Sequence, residues 1–175
     1  MKVRNAIFIV VATLSMVFTT SSAANSRSLL ISTTGITSYI NDDPKGETIV
    51  KTALQYLGTK YRSGRSDPGG FDCSGLTSYV YKLNNVHLTR SSRSQFTEGT
   101  PIMSISNLRK GDLVFFGGSR GSNSVGHVGI VTDVADNGQS FKFVHAARTG
   151  VQVDSSDQAY YSKRYMGARR IIDQK

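Results

Sequence analysis

Phe71-Asp72-Cys73-Ser74-Gly75-Leu76 holds the single cysteine of the 175-residue chain, and the reading of this stretch decides the rest. Upstream, Arg62 to Gly70 is rich in Gly, Ser, Asp and Pro, a composition that interrupts regular elements and predicts a loop. Downstream, Leu76, Tyr79, Val80 and Leu83 recur at helical spacing. Cys73 therefore falls in the first turn of a helix, with Asp72 at the N-cap. Unpaired backbone N–H groups and the positive end of the helix dipole converge on that turn and favour a thiolate over a thiol. A lone cysteine is ordinarily a small buried hydrophobe. In an exported chain it asks for another reason, and the N-terminus predicts export.

Met1-Lys2-Val3-Arg4-Asn5 is short and basic, and Ala6 to Val17 is apolar apart from Thr13 and Ser15. Ser21-Ser22-Ala23-Ala24 then supplies small residues for cleavage. These are the three parts of a secretory signal peptide, assigned to residues 1–23. The apolar core is shorter than the roughly 20 residues of a spanning helix, so no stable membrane insertion is expected after signal removal. No cysteine stands next to the apolar run to take a lipid. The expected destination lies outside the cytoplasm.

Removal of the signal leaves about 150 residues, the size of one domain. One cysteine allows no intramolecular disulfide, so stability rests on packing. The formal charge goes from +9 to +7 as Lys2 and Arg4 depart. A basic exported chain suits an anionic partner such as a cell envelope or membrane surface. Nucleic acid is not expected, because Lys and Arg are scattered and no stacking aromatics are interleaved with them.

Residues 24–45 carry Ser, Thr, Asn and Gly without apolar period and read as a flexible leader, leaving 46–175 as the ordered domain. Ile49, Val50, Ala53, Leu54 and Leu57 predict a core helix over Glu47 to Leu57, with Gly58 as its stop. Ser91 or Ser92 caps a short helix. From Leu113 onward the pattern is strand: Leu113 to Phe116, His127 to Val134, Phe141 to His145, Val151 to Val153 and Tyr165 to Ile172, with a Gly/Ser loop from Gly117 to Asn123. Helices first and an antiparallel sheet afterwards make an α+β domain.

A reactive thiol needs a base in hydrogen-bond reach and a third group to orient that base. His127 lies between glycines at a strand start, in Val125-Gly126-His127-Val128-Gly129, and His145 ends the next strand. A hairpin can set the two imidazoles side by side, one to activate the thiol and the other to hold its tautomer. Each histidine taken alone is equally an ordinary core or surface residue, and His87 has no context beyond that. A metal site is not expected, since one Cys and two dispersed His lack the close-spaced ligand pairs of zinc sites.

Gly58-Thr59-Lys60-Tyr61, Gly69-Gly70-Phe71-Asp72-Cys73-Ser74-Gly75-Leu76, Arg90-Ser91-Ser92-Arg93-Ser94-Gln95, Lys110-Gly111-Asp112-Leu113-Val114-Phe115-Phe116, Gly126-His127-Val128-Gly129-Ile130 and His145-Ala146 follow one another in order. In this series the chain resembles the NlpC-type (NlpC/p-sixty) family of papain-like cell-wall cysteine peptidases, from about Glu47 to Ile172. The resemblance implies a reduced papain-like fold, with the nucleophile on a helix packed against a central antiparallel sheet that carries the base. It implies Cys73 as nucleophile, His127 as general base, and His145 as the residue that orients it. Tyr61 matches a tyrosine beside the thiol, and Asp72 and Ser74 match positions that help hold the peptide; Tyr61 read alone is a core aromatic, and Asp72 a helix cap. No metal or cofactor is implied.

The implied partner is peptidoglycan, cut between γ-D-glutamate and the diamino acid or at a cross-link. With neither a wall-binding module nor a lipid-bearing cysteine, the chain looks most like small monomeric murein endopeptidases of the Gram-negative periplasm. An amidase or acyltransferase on the same thiol fold, a catalytically idle wall-binding module, and a toxin aimed at competitor envelopes remain as alternatives.

Overall fold

The computed structural model of the chain describes residues 44–118 and 124–172. The expected signal segment, nearly all of the expected leader and most of the Gly117 to Asn123 loop lie outside them.

Helix α1 (Pro44–Leu54) opens the described chain, starting ahead of the expected Glu47. Proline suits that place because its missing N–H would have no helical partner there. Ile49, Val50 and Ala53 form the buried face as the spacing predicts. The helix stops at Leu54, where hydrogen bonds contract to i→i−3 as far as Leu57, and Leu57 is half exposed. Gly58, at φ +79°, then turns the chain away and donates its N–H to the Val151 carbonyl at 2.8 Å.

The glycine-rich loop folds on itself as a minimal hairpin of β1 (Ser66–Asp67) and β2 (Gly70–Phe71). Helix α2 (Cys73–Leu83) follows at once. Leu76 and Val80 are fully buried, but Leu83 is half exposed. Tyr81, outside the expected stripe, is buried instead and donates its hydroxyl to the Gly111 carbonyl. Helix α2 contacts α1, β1 and the large sheet, so it buries more than one stripe. Helix α3 (Ser92–Gln95) is capped by Ser91, whose hydroxyl accepts from the Ser94 N–H at 3.1 Å.

The sheet comprises β3 (Thr100–Ile102), β4 (Leu113–Gly117), β5 (Val125–Val134), β6 (Phe141–Ala147), β7 (Gly150–Ser155) and β8 (Tyr165–Arg170). Their order is β3-β8-β4-β5-β6-β7, with every neighbouring pair antiparallel. The architecture is α+β, as expected. Strand β3 and the short helix α4 (Ala159–Ser162) were not legible: Thr-Pro-Ile is too short for a period of two, and Pro101 is confined to such an edge.

Strand β4 sends Leu113 and Phe115 toward α1 and α2, into a cluster with Ile49, Leu76, Val80 and Ile130. Val114 and Phe116 face the other way, among Val131, Phe141, Phe143 and Tyr161. Both faces are covered, which is why β4 reads as a continuous apolar run. The second cluster is the bed on which His145 is held.

Candidate active site

The first turn of α2 is held by more than its own helix. Asp72 caps it, accepting the Gly75 N–H at 2.7 Å. The same carboxylate accepts the Gly64 N–H at 2.8 Å and two bonds from Arg90, at 2.8 and 2.7 Å. Burial pushes the Asp72 carboxyl up, but Arg90 and the N–H groups of Gly75 and Gly64 outweigh it and hold the group below the usual carboxylate range. Arg90 also donates to the Ser74 hydroxyl at 3.1 Å and to the Arg65 carbonyl at 3.2 Å. Gln95, fully buried, donates to the carbonyls of Thr89 at 2.8 Å and Ser74 at 3.3 Å and accepts from Thr77 at 2.8 Å. The segment from Arg90 to Gln95 thus clamps the helix start. Gly75 is required there by contact, since a Cβ would lie 2.1 Å from the Arg65 carbonyl oxygen.

Cys73 is partly buried, and the backbone N–H groups of Val128, Ser74 and Cys73 itself face its sulfur. Val128, whose N–H faces the sulfur, is the residue that follows His127 on β5. The helix start was expected to favour the thiolate. Burial acts against the charged form and prevails, pushing the Cys73 thiol up. Burial, then the neighbouring His145, holds His127 down to about 3. Around neutral pH the resting pair is therefore thiol and neutral imidazole.

The β5–β6 hairpin does set the histidines side by side. His127 Nε2 and His145 Nδ1 are 2.9 Å apart, with the rings nearly perpendicular at 88°. Gly129 makes this approach possible: a Cβ there would stand 2.6 Å from the Phe143 ring and 3.2 Å from the His145 Cβ. His145 is fully buried, in ring contact with Phe143 and Tyr161.

The chain of contacts runs one residue further than the sequence reading took it. His145 Nε2 lies 2.9 Å from Asp154 Oδ2. Asp154 also accepts from Gln152 at 2.8 Å, the Tyr161 hydroxyl at 2.9 Å and Gln158 at 3.1 Å. Burial pushes its carboxyl up, but these donors and His145 bring it to about 2. Burial lowers His145, and the opposing pull of Asp154 does not restore it. The register explains the meeting: His145 pairs across the sheet with Gln152, and Asp154 is the next residue on that face. The period of two in Gln152-Val153-Asp154 was available as a signal, but its register against β6 was not.

Tyr61 forms an isolated bridge with Phe71 and is a little over one third exposed. Burial raises its hydroxyl, and the Cys73 sulfur and Asp72 carboxylate raise it further. Ser74 is buried beneath Arg90. His87 is exposed. Among the described residues no group of three His, Cys, Asp or Glu side chains is disposed to hold a metal, and no helix is long and apolar enough to cross a membrane.

Known proteins share both the sequence and the fold. The chain is 38% identical over 128 residues to murein DD-endopeptidase MepH of Escherichia coli K12, covering 70% of this chain and 44% of that protein. It is 36% identical over 126 residues to murein DD-endopeptidase MepS/murein LD-carboxypeptidase of the same strain, covering 71% and 62%. It thus spans less than two thirds of the length of either relative. A crystal structure of an NlpC/P60 family protein from Bacillus cereus superposes with a TM-score of 0.66 at 30% identity, over 76% of this chain and 42% of that one. The NlpC/P60 family profile matches residues 58–170, a span that takes in the clamp, the thiol, both histidines and Asp154. By that match the chain belongs to the NlpC/P60 family.

Proposed function

We propose that the chain is a cysteine endopeptidase that hydrolyses peptide bonds in the stem peptides or cross-links of peptidoglycan. The observation that carries this reading is the 2.9 Å contact between His127 and His145 on the strand whose Val128 N–H meets the Cys73 sulfur. In this reading a nucleophile, a base and its orienting partner come from three elements, α2, β5 and β6. The names of the murein-cleaving relatives support the substrate class.

In this mechanism His127 takes the proton of Cys73 as the sulfur attacks the peptide carbonyl. The developing oxyanion accepts hydrogen bonds from N–H groups at the start of α2, that of Cys73 included. The imidazolium then protonates the leaving amine, and water activated by the same imidazole releases the acyl group. His145 holds His127 in place. Tyr61 and Asp72 belong to the wall beside the thiol on which a stem peptide is held; Asp72 anchors the helix as well, and Ser74, expected to help hold the peptide, is instead buried beneath Arg90.

Residues 1–23 direct export, in this reading to the periplasm, and the residues up to about 45 link that signal to one monomeric peptidase domain. The basic, apolar and small-residue regions of the N-terminus support the assignment. The test is digestion of purified peptidoglycan beside a Cys73→Ala control, with fragments identified by mass spectrometry. Cross-linked dimers falling to monomers, or stems shortened at γ-D-glutamate, with a silent control, are the expected results. A folded protein that releases nothing would contradict the proposal.

A further inference from the structure

We infer that Asp154 is a positioning residue that sets the proton direction through the two histidines, so that His127 presents a bare nitrogen to Cys73. The inference rests on the reading of Cys73 and His127 as a thiol and its base. A neutral imidazole has one N–H and one bare nitrogen, so a pair of joined imidazoles can be polarised in either of two senses. In the first, His145 carries its proton on Nε2 and accepts from His127 Nε2–H through Nδ1. His127 Nδ1, the ring nitrogen not committed to His145, is then bare and able to take a proton. In the second sense His145 donates from Nδ1 to His127 Nε2. The proton of His127 then sits on Nδ1, and the site has no base.

The surroundings of Asp154 select the first sense. Its Oδ2 stands 2.9 Å from His145 Nε2, and a bare nitrogen facing a carboxylate oxygen at that distance would set lone pair against lone pair; the Tyr161 hydroxyl lies 3.3 Å from the same nitrogen but donates to the nearer Asp154 Oδ2 at 2.9 Å. The carboxylate is kept an acceptor by side chains that donate to it: Gln152, Gln158 and Tyr161. Gln152 is itself oriented by the Thr149 hydroxyl, which donates to its Oε1 at 2.7 Å, leaving the amide N–H to Asp154. His145 is fully buried, so water does not relieve the wrong arrangement. The strongly lowered Asp154 carboxyl agrees with an anion at this end. When the thiol proton passes from Sγ to His127 Nδ1, no other proton moves. The new imidazolium keeps its Nε2–H on His145, and Asp154 faces the developing charge through that ring.

Two measurements test this. Long-range 15N–1H spectra of the labelled chain at neutral pH report the tautomers directly and need no substrate. Both histidines are expected as the Nε2–H form, and Asp154→Asn, whose amide can donate to His145 Nε2, is expected to move His145 to the Nδ1–H form. An Nδ1–H form of His145 in the unaltered chain, or unchanged tautomers in Asp154→Asn, would overturn the inference even if the chain is no peptidase.

The second measurement uses His145→Gln, whose amide oxygen accepts from His127 without help. Asp154→Asn is expected to lower turnover on the order of 10²-fold in the native background, with little change in KM. In the His145→Gln background the same change should cost less than about threefold, because a shared role makes the pair non-additive. Equal losses in both backgrounds would reduce Asp154 to a prop for β7 and α4. Absence of turnover in the unaltered chain would fail the peptidase reading alone, and the spectra would still decide the inference.

Discussion

Two aspartates stand on opposite walls of the site, and they are bound in different ways. Asp72, on the helix wall, accepts from two backbone N–H groups and a forked Arg90. Asp154, on the sheet wall, accepts only from side chains among its described contacts: His145, Gln152, Gln158 and Tyr161. Both carboxyls lie below their ordinary range despite burial. A carboxylate tied to backbone fixes where a chain goes. One tied to side chains fixes which way a ring points and where its proton sits. In the proposed mechanism the helix wall places the thiol, and the sheet wall prepares the base.

The proposed mechanism has both walls serve one sulfur, so the largest effect is expected from removing either member of the couple. Cys73→Ala and His127→Ala should each lower peptide release on the order of 10⁴-fold, with melting temperature nearly unchanged. A residual rate within tenfold of the native one in either variant would break the division of labour at its centre. Gly129→Ala strikes the sheet wall without replacing any of the proposed functional groups. Its methyl must displace the Phe143 ring and crowd His145, so we expect a loss of about 1–3 kcal/mol by chemical denaturation and a larger fall in activity than stability explains.

Asp72→Ala should behave in the opposite manner. It removes the cap and the Arg90 fork, costing about 1–2 kcal/mol and several degrees of melting temperature. Thiol reactivity at temperatures where the variant is folded should change less than in Asp154→Asn. If the two aspartates gave the same ratio of activity loss to stability loss, the comparison would have no content.

Acid should undermine the sheet wall first. Below about pH 6.5 an unfolded imidazole takes a proton that folded His127, held down to about 3, refuses. The unfolded state then binds more protons, so stability falls as pH drops through that window. Asp154 acts in the same direction lower down: its contribution is present above the ordinary carboxylate range near 4 and is lost as pH falls toward about 2. Urea midpoints measured from pH 7 to pH 3 should decline, and the decline should be shallower in His127→Ala. The smallest effect is expected from salt. With a formal charge of +7 once Lys2 and Arg4 have left with the signal, attraction to an anionic envelope should weaken a few-fold between 0.1 and 1 M salt in a sedimentation assay with whole peptidoglycan.

The two walls also differ in how far the sequence revealed them. Asp72 and Ser91 act through bonds spanning three residues, so composition around Cys73 placed the first cap and that around Arg90 narrowed the second to Ser91 or Ser92, of which Ser91 serves. The meeting of His127 with His145 needed only a hairpin between consecutive strands. Asp154 needed the register of β7 on β6, which no local pattern states, and it was missed. Tyr81 was missed for a related reason, because its partner Gly111 lies 30 residues away. The expectation of a thiolate at Cys73 considered the helix start and left out burial, which depends on everything packed around the turn.

The central claim is that His127 makes the Cys73 thiol reactive. As the chain has one cysteine, alkylation by iodoacetamide reports that site alone. The rate should be measured from pH 5 to pH 10 for the native chain and His127→Ala. The account predicts that His127→Ala is slower at pH 7 on the order of 10²-fold, and that its rate rises only above the ordinary thiol range near pH 8.5. Superimposable profiles for the two proteins would contradict it.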